Sequence, residues 1–211
     1  MTLTLYHCTN ARSFRALWCL EEMGLDYELI NLPFPPRVHD KSYLAINPLG
    51  TIPYLIDGDT RMSESTGICQ YLAARYGPAD LNISVDNPAY GAFLNWLYFS
   101  DATLTFPQTL VLRYTLLEPE ARRLPQVATD YAKWFAGRLR HVEATLEDQQ
   151  FLVADRFTIA DIAIGYALFL ASTLPPLKDR LTPNVSAYLD RLIQREAFQR
   201  AQSVQKGASP V

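Results

Sequence analysis

The sequence predicts a mixed α/β domain followed by an all-α domain. Strand and helix signals alternate over residues 1–77, a breaker-rich stretch follows over 78–88, and residues 89–211 carry helical patterning with no strand signal. The length, 211 residues, suits one large domain or two small ones. Hydrophobic residues make up 49% and charged residues 19%, the balance of an ordinary globular chain.

The first domain opens on a short apolar strand, Leu3 to Tyr6. "RSFRALWCLEEMG" carries Phe14, Leu17, Trp18 and Leu20 at helical spacing and stops at Gly24. "YELIN" reads as a second strand, and the β-α-β order implies a parallel pair. "KSYLAINPLG" is a short helix or turn that breaks by Asn47-Pro48. "PYLID" and "TRMS" flank Asp57-Gly58, a hairpin signal that adds an antiparallel edge. "STGICQYLAARYG" closes the domain as a helix.

Gly77-Pro78 and Asp86-Asn87-Pro88 bound the linker. "AYGAFLNWLYFSDATLTF" reads as one long helix with Pro88 near its first turn, and "QVATDYAKWFAGRLRHVEATLED" as another. "TIADIAIGYALFLAS" is apolar nearly all round, which predicts a buried central helix capped by Thr158 and Asp161. "VSAYLDRLIQREAFQRA" reads as the last helix, with a loose tail from Ser203 onward.

The formal net charge of -3 supplies no basic field for a phosphate backbone, so nucleic acid is not an expected partner. No apolar run reaches the roughly 18 residues of a membrane span, and "MTLTLYHC" lacks a charged leader before an apolar run. Cys8, Cys19 and Cys69 are odd in number and widely spaced, which favours free thiols in a reducing compartment. A cytoplasmic protein without a membrane partner is the expectation.

Pro53 stands at the front of a strand, where a residue without an N–H is rarely placed. A cis Ile52–Pro53 bond would leave the Ile52 N–H and C=O outside the sheet, open to an extended, peptide-like ligand. A trans edge-strand proline is the simpler alternative. Glu64-Ser65 stands where the next helix begins. Ser65 as N-cap could hold a carboxylate at the helix N-terminus while Glu64 faces an ammonium, a match to the zwitterionic end of an amino acid. Alternatively, Ser65 only caps its own helix.

"ARSFRALWCLEEMGLDYEL", "INPLGTIPYL" and "MSESTGICQYLAARYG", in this order and spacing, resemble the thioredoxin-like domain of cytosolic glutathione transferases. "FTIADIAI" is similar to the capping motif of the family's helical domain. The R-S-F-R-x-L-W-x-L-E-E start is similar to a bacterial and fungal subgroup. The resemblance covers nearly the whole chain. It implies an N-terminal thioredoxin-like domain, an all-helical C-terminal domain and a homodimer that uses glutathione as co-substrate, with no metal and no other cofactor. By the same resemblance, Ile52 and Pro53 meet the cysteinyl part of glutathione, and Glu64 and Ser65 hold its γ-glutamyl end. Many members carry Lys where this chain has Thr51, near the glycyl carboxylate; Lys41 or His39 are the substitutes at hand.

Conjugation needs the glutathione thiolate, and a free thiol titrates near about 8.5. A hydrogen bond to sulfur and the N-terminus of the first helix would both lower that value. The donor is expected in "YHCTNARS", with Asn10 and Ser13 ranked level, then Arg12, then Tyr6. Cys8 lies beside this loop and could form a mixed disulfide, though a small buried strand-end residue is the plainer reading. Tyr98, Phe106 and Tyr114 are candidate walls of an apolar electrophile pocket between the domains, and Asp101 a candidate acid reaching glutathione across a dimer. Conjugation of small hydrophobic electrophiles is the leading function. A glutathione-dependent peroxide or disulfide reductase, favoured by Cys8, and a non-catalytic binding module on the same fold are the alternatives.

Overall fold

The computed structural model describes residues 2–207. The chain divides into two compact units. The first runs to Asn82 and resumes at Ile193; the second spans Ile83–Leu192.

In the first unit the elements are β1 (Leu3–His7), α1 (Phe14–Met23), β2 (Tyr27–Asn31), α2 (Pro36–His39), β3 (Tyr54–Asp57), β4 (Thr60–Met62) and α3 (Ser65–Tyr76). A 3-10 turn covers Lys41–Ala45. The sheet order is β2-β1-β3-β4. β1 pairs parallel to β2 and antiparallel to β3, with Tyr6 opposite Ile30 on one side and Tyr54 on the other. β3 and β4 form the expected hairpin around Asp57-Gly58, with Gly58 at φ 55. α1 stops at Gly24, whose φ of 61 suits a residue without Cβ.

Side chains alternate across β1, as a strand requires. Tyr6 and Cys8 pack on one face with Leu32 and Tyr43, and Ile52 and Tyr54 lie against them. His7 falls on the other face, where its ring meets α10 (Glu196–Gly207). Phe198 of α10 packs edge-on against Phe14 and Trp18 of α1, at 5.2 and 5.0 Å between ring centroids. Arg195 and Arg200 pair with Glu22 and Glu21.

The second unit holds α4 (Tyr90–Tyr98), α5 (Phe106–Leu112), α6 (Pro125–Thr145), α7 (Ile159–Thr173), α8 (Pro175–Lys178) and most of α9 (Pro183–Ile193). α7 is buried along most of its length, as its composition predicts. Thr158 and Asp161 form a capping box at its start. The Asp161 carboxylate also accepts from Leu152 N–H and from Tyr188 Oη, at 3.1 and 2.7 Å. Four donors on one buried carboxylate make it a folding residue.

Four expectations change. The long helix expected over residues 89–106 becomes α4 and α5 joined by a π-helical stretch, Phe99–Thr105, with a second at Arg113–Leu117. Pro107 supplies the reason: it has no N–H for the preceding turn, and its ring crowds that turn's carbonyl. The single last helix is two, α9 and α10, because their buried faces belong to different cores; Val185, Tyr188 and Leu192 lie in the second unit, Phe198 and Ala201 in the first. The unit boundaries accordingly differ from an 89–211 helical domain. Ser203 to Gly207 is helical rather than loose, with Gln205 only 1% exposed; residues 208–211 of the expected tail lie outside the described residues. Within the expected linker, Leu81 and Ile83 are buried and Ala79–Leu81 is a 3-10 turn.

Candidate active site

Three segments converge on one end of the sheet. β1 ends there, β3 begins there because it runs antiparallel to β1, and α1 starts there after the loop that follows β1. α3 starts there too. Arg15 Nη1 donates to Ser65 Oγ at 3.0 Å, and Cys19 Sγ lies 3.9 Å from the Cys69 carbonyl oxygen. Both pairs are 50 residues apart in the chain, so α1 and α3 run parallel with their N-termini level. Two helix N-termini side by side, with the guanidinium of the wholly buried Arg15, make this end electropositive. Arg15 was missed in the sequence; its signal was a cation on the same helical face as Trp18 and Cys19.

Glu64, exposed, is the N-cap of α3, and Ser65 is its first helical residue, not the cap. Ser65 is buried and its hydroxyl accepts from Arg15. The Ile52–Pro53 peptide is cis, and among the described residues no turn or loop backbone hydrogen bond engages Ile52. The turn before it is fixed by residues that sequence reasoning did not single out. Tyr43 Oη and Asn47 Nδ2 both donate to the Thr51 carbonyl, at 2.8 and 2.9 Å. Asn47 Oδ1 accepts from Leu49 N–H, an Asx turn that "NPLG" signalled. Gly50 has φ +59, and a Cβ there would sit 2.6 Å from Arg37 Cβ. The segment carrying His39 and Lys41, both exposed, therefore abuts the turn that carries Thr51.

The loop after β1 separates the four donor candidates. Ala11 N–H donates to the Cys8 carbonyl, and Asn10 has φ 58, the positive value that the third position of a type II turn needs and Asn tolerates. Asn10 is exposed. Ser13 is wholly buried; its Oγ accepts from Cys8 N–H at 3.2 Å and donates to the Cys8 carbonyl at 3.4 Å. Its hydroxyl closes the loop, which removes it from the donor list. Arg12 is half-buried. Tyr6 is buried against Tyr43 and Tyr54, and desolvation raises its pKa. Cys8 is 1% exposed and burial pushes its thiol up to about 12, so it is not the reactive thiolate a mixed disulfide needs.

In the second unit, Tyr98 is 65% exposed at the end of α4, and Asp101 is half-buried within the π-helical stretch. Phe106 lies edge-on to Tyr131 at 6.1 Å, and Tyr131 stacks on Trp134 at 5.3 Å. Tyr114 lies instead under the Arg113 guanidinium. The structure thus groups Phe106 with Tyr131 and Trp134, two aromatics not singled out in the sequence, and not with Tyr114 or Tyr98. Unlike Asn47, they carried no signal beyond helical spacing. Among the described residues no helix is long and apolar enough to cross a membrane.

A model of the glutathione S-transferase N-terminal domain matches residues 5–80, and one of the C-terminal domain matches residues 117–196. The chain is 31% identical over 209 residues to glutathione S-transferase F10 of Arabidopsis thaliana, covering 94% of this chain and 95% of that protein. It is 30% identical to glutathione S-transferase hmp2 of Hypomyces subiculosus, covering 95% and 98%. Glutathione transferase URE2P6 of Phanerochaete chrysosporium, solved in complex with oxidized glutathione, superposes with a TM-score of 0.85 at 26% identity, over 99% of this chain and 98% of that one.

Proposed function

The chain belongs to the glutathione S-transferase family, and from that premise we propose that it binds glutathione where α1, α3, the β1 loop and the Ile52–Pro53 turn meet, and transfers its sulfur to small hydrophobic electrophiles. The observation that carries this reading is the level, parallel pair of helix N-termini locked by Arg15 and Ser65. The γ-glutamyl carboxylate accepts from the N-terminal N–H groups of α3 and from the Ser65 hydroxyl, whose own lone pair is engaged by Arg15. Glu64 faces the ammonium. Ile52 N–H and C=O pair with the cysteinyl backbone. His39 and Lys41, on the segment that abuts the Thr51 turn, are set against the glycyl carboxylate, with Thr51 contributing no charge.

Asn10 is the thiol's hydrogen-bond donor in this reading, ahead of Arg12 and Tyr6. The thiol proton leaves to solvent, and the thiolate, held by the Asn10 amide and the dipole of α1, attacks the electrophilic carbon. A C–S bond forms and the leaving group departs with its electron pair. Glutathione is the co-substrate and no other cofactor takes part. Lowering the thiol pKa by about two units stabilises the thiolate by roughly 2.7 kcal/mol. Within the second unit, the exposed Phe106 with Tyr131 and Trp134 is the apolar surface that suits a small hydrophobic electrophile. The buried, high-pKa Cys8 argues against the reductase alternative. Three buried, unbridged cysteines fit the cytoplasm, and a homodimer is the assembly we expect.

Asn10→Gly tests the donor, because glycine keeps the left-handed turn while removing the amide. The ultraviolet absorbance of bound thiolate is followed against pH, alongside conjugation of an activated aryl halide. The bound thiol should rise by about one pKa unit, with about a tenfold loss of rate at neutral pH. An unchanged titration would remove Asn10 from the mechanism.

A further inference from the structure

Gln205 lies near the end of α10, far from the site in sequence and 1% exposed. Its side-chain amide uses its full hydrogen-bonding capacity. Oε1 accepts from Asn10 N–H at 3.1 Å and meets His7 Nε2 at 3.2 Å. Nε2 donates to Asn10 Oδ1 at 3.0 Å and to Gln202 Oε1 at 3.1 Å. Its main-chain carbonyl accepts from Asn31 Nδ2 at 3.2 Å.

The chemistry of these groups sets their orientation. A backbone N–H is only a donor, so the group of Gln205 facing Asn10 N–H must be the carbonyl oxygen. The Gln205 NH2 then faces Asn10, and the Asn10 atom that meets it must be the acceptor Oδ1. With Oδ1 held by Gln205, the rotation of the Asn10 amide is fixed, and Nδ2 is the donor end it presents. His7, opposite the same oxygen, must present Nε2–H; desolvation by burial lowers its pKa to about 4 and keeps the ring neutral.

We propose that Gln205 is a positioning residue for catalysis: by fixing both the backbone and the side-chain amide of Asn10, it turns the Nδ2 donor toward the glutathione sulfur. The proposal rests on the reading of Asn10 as thiol donor. It gives α10 a role in the chemistry of a loop that lies 195 residues away in the chain.

The test is the bound-thiol titration in Gln205→Met, which keeps the side chain's length and removes its hydrogen bonds. Arg200→Ala, which loosens α10 from Glu21 without touching Asn10, is the control for a merely structural role. Gln205→Met should raise the bound-thiol pKa by about half to one unit, and the double variant with Asn10→Gly should go no higher than Asn10→Gly alone. Arg200→Ala should lower the melting temperature and leave the thiol pKa in place. The proposal falls if Gln205→Met titrates as wild type while Asn10→Gly does not, or if Arg200→Ala shifts the thiol equally. If Asn10→Gly itself titrates as wild type, the donor reading falls and takes the proposal with it. Should Gln205→Met not fold, hydrogen exchange in the wild-type protein decides: slow exchange of the Gln205 side-chain amide protons supports the proposal, and exchange at the rate of a free amide overturns it.

Discussion

His7 shows what burial does to a single titratable group. No part of it is exposed, and desolvation holds its pKa near 4 against an ordinary 6.5. Between those values the unfolded chain takes up a proton that the folded chain refuses. Stability is therefore full above about 6.5 and falls as the pH drops toward 4. The loss attributable to this ring approaches roughly 3 kcal/mol at the acid end. Chemical denaturation of His7→Gln should show a shallower decline over that window than wild type; parallel declines would mean that the ring is protonated without cost. His7 is the strand-end residue among the four donor candidates, yet nothing local in the sequence marked it. Its partner sits on α10, and a contact across that much chain leaves no periodicity to read. Asn10 and Ser13 were both legible as polar loop residues, and only the turn geometry separates them. Ser13 points its hydroxyl back at Cys8, while Asn10 takes the positive φ of the turn and sets its amide against Gln205.

The Asn47–Pro53 turn and the α1–α3 pair do the positioning among the elements. The strands, α1 and α3 were readable because burial on one face imposes a period, the hairpin from Asp57-Gly58, and α7 because it is apolar nearly all round. Joins were harder. The π-helical stretch before Pro107 has a local cause that the helical spacing around it hid, whereas the break between α9 and α10 depends on which core each face enters, a tertiary choice. Asn47 was read only as a helix stop, although its side chain holds both Leu49 N–H and the Thr51 carbonyl. Asn47→Ala should leave that carbonyl held by Tyr43 Oη alone and loosen the backbone leading into Ile52. The dissociation constant for glutathione should rise by about tenfold, or about 1.4 kcal/mol, with turnover at saturation little changed. A fall in saturated turnover without weaker binding would show that the turn serves chemistry rather than binding.

Over the whole molecule, a mixed α/β unit and a helical unit were visible in the sequence as a change of composition near residue 78. The return of the chain to the first unit through α10 was not, because an amphipathic helix does not announce which core it joins. Arg195, Arg200 and Phe198 bind α10 to α1, and Gln205 then reaches the β1 loop. Everything proposed for this molecule depends on the shared N-terminal end of α1 and α3 being a glutathione site. Thermal melting with increasing glutathione, in wild type and in Ser65→Ala, tests it most directly. Removing the Ser65 hydroxyl takes an acceptor from the buried Arg15, so the ligand-induced shift, not the starting melting temperature, is the quantity to compare. Glutathione at about 100 times its dissociation constant should stabilise the wild type by roughly 2.7 kcal/mol, and the variant far less. A wild-type protein that does not shift, or a variant that shifts equally, would contradict the account.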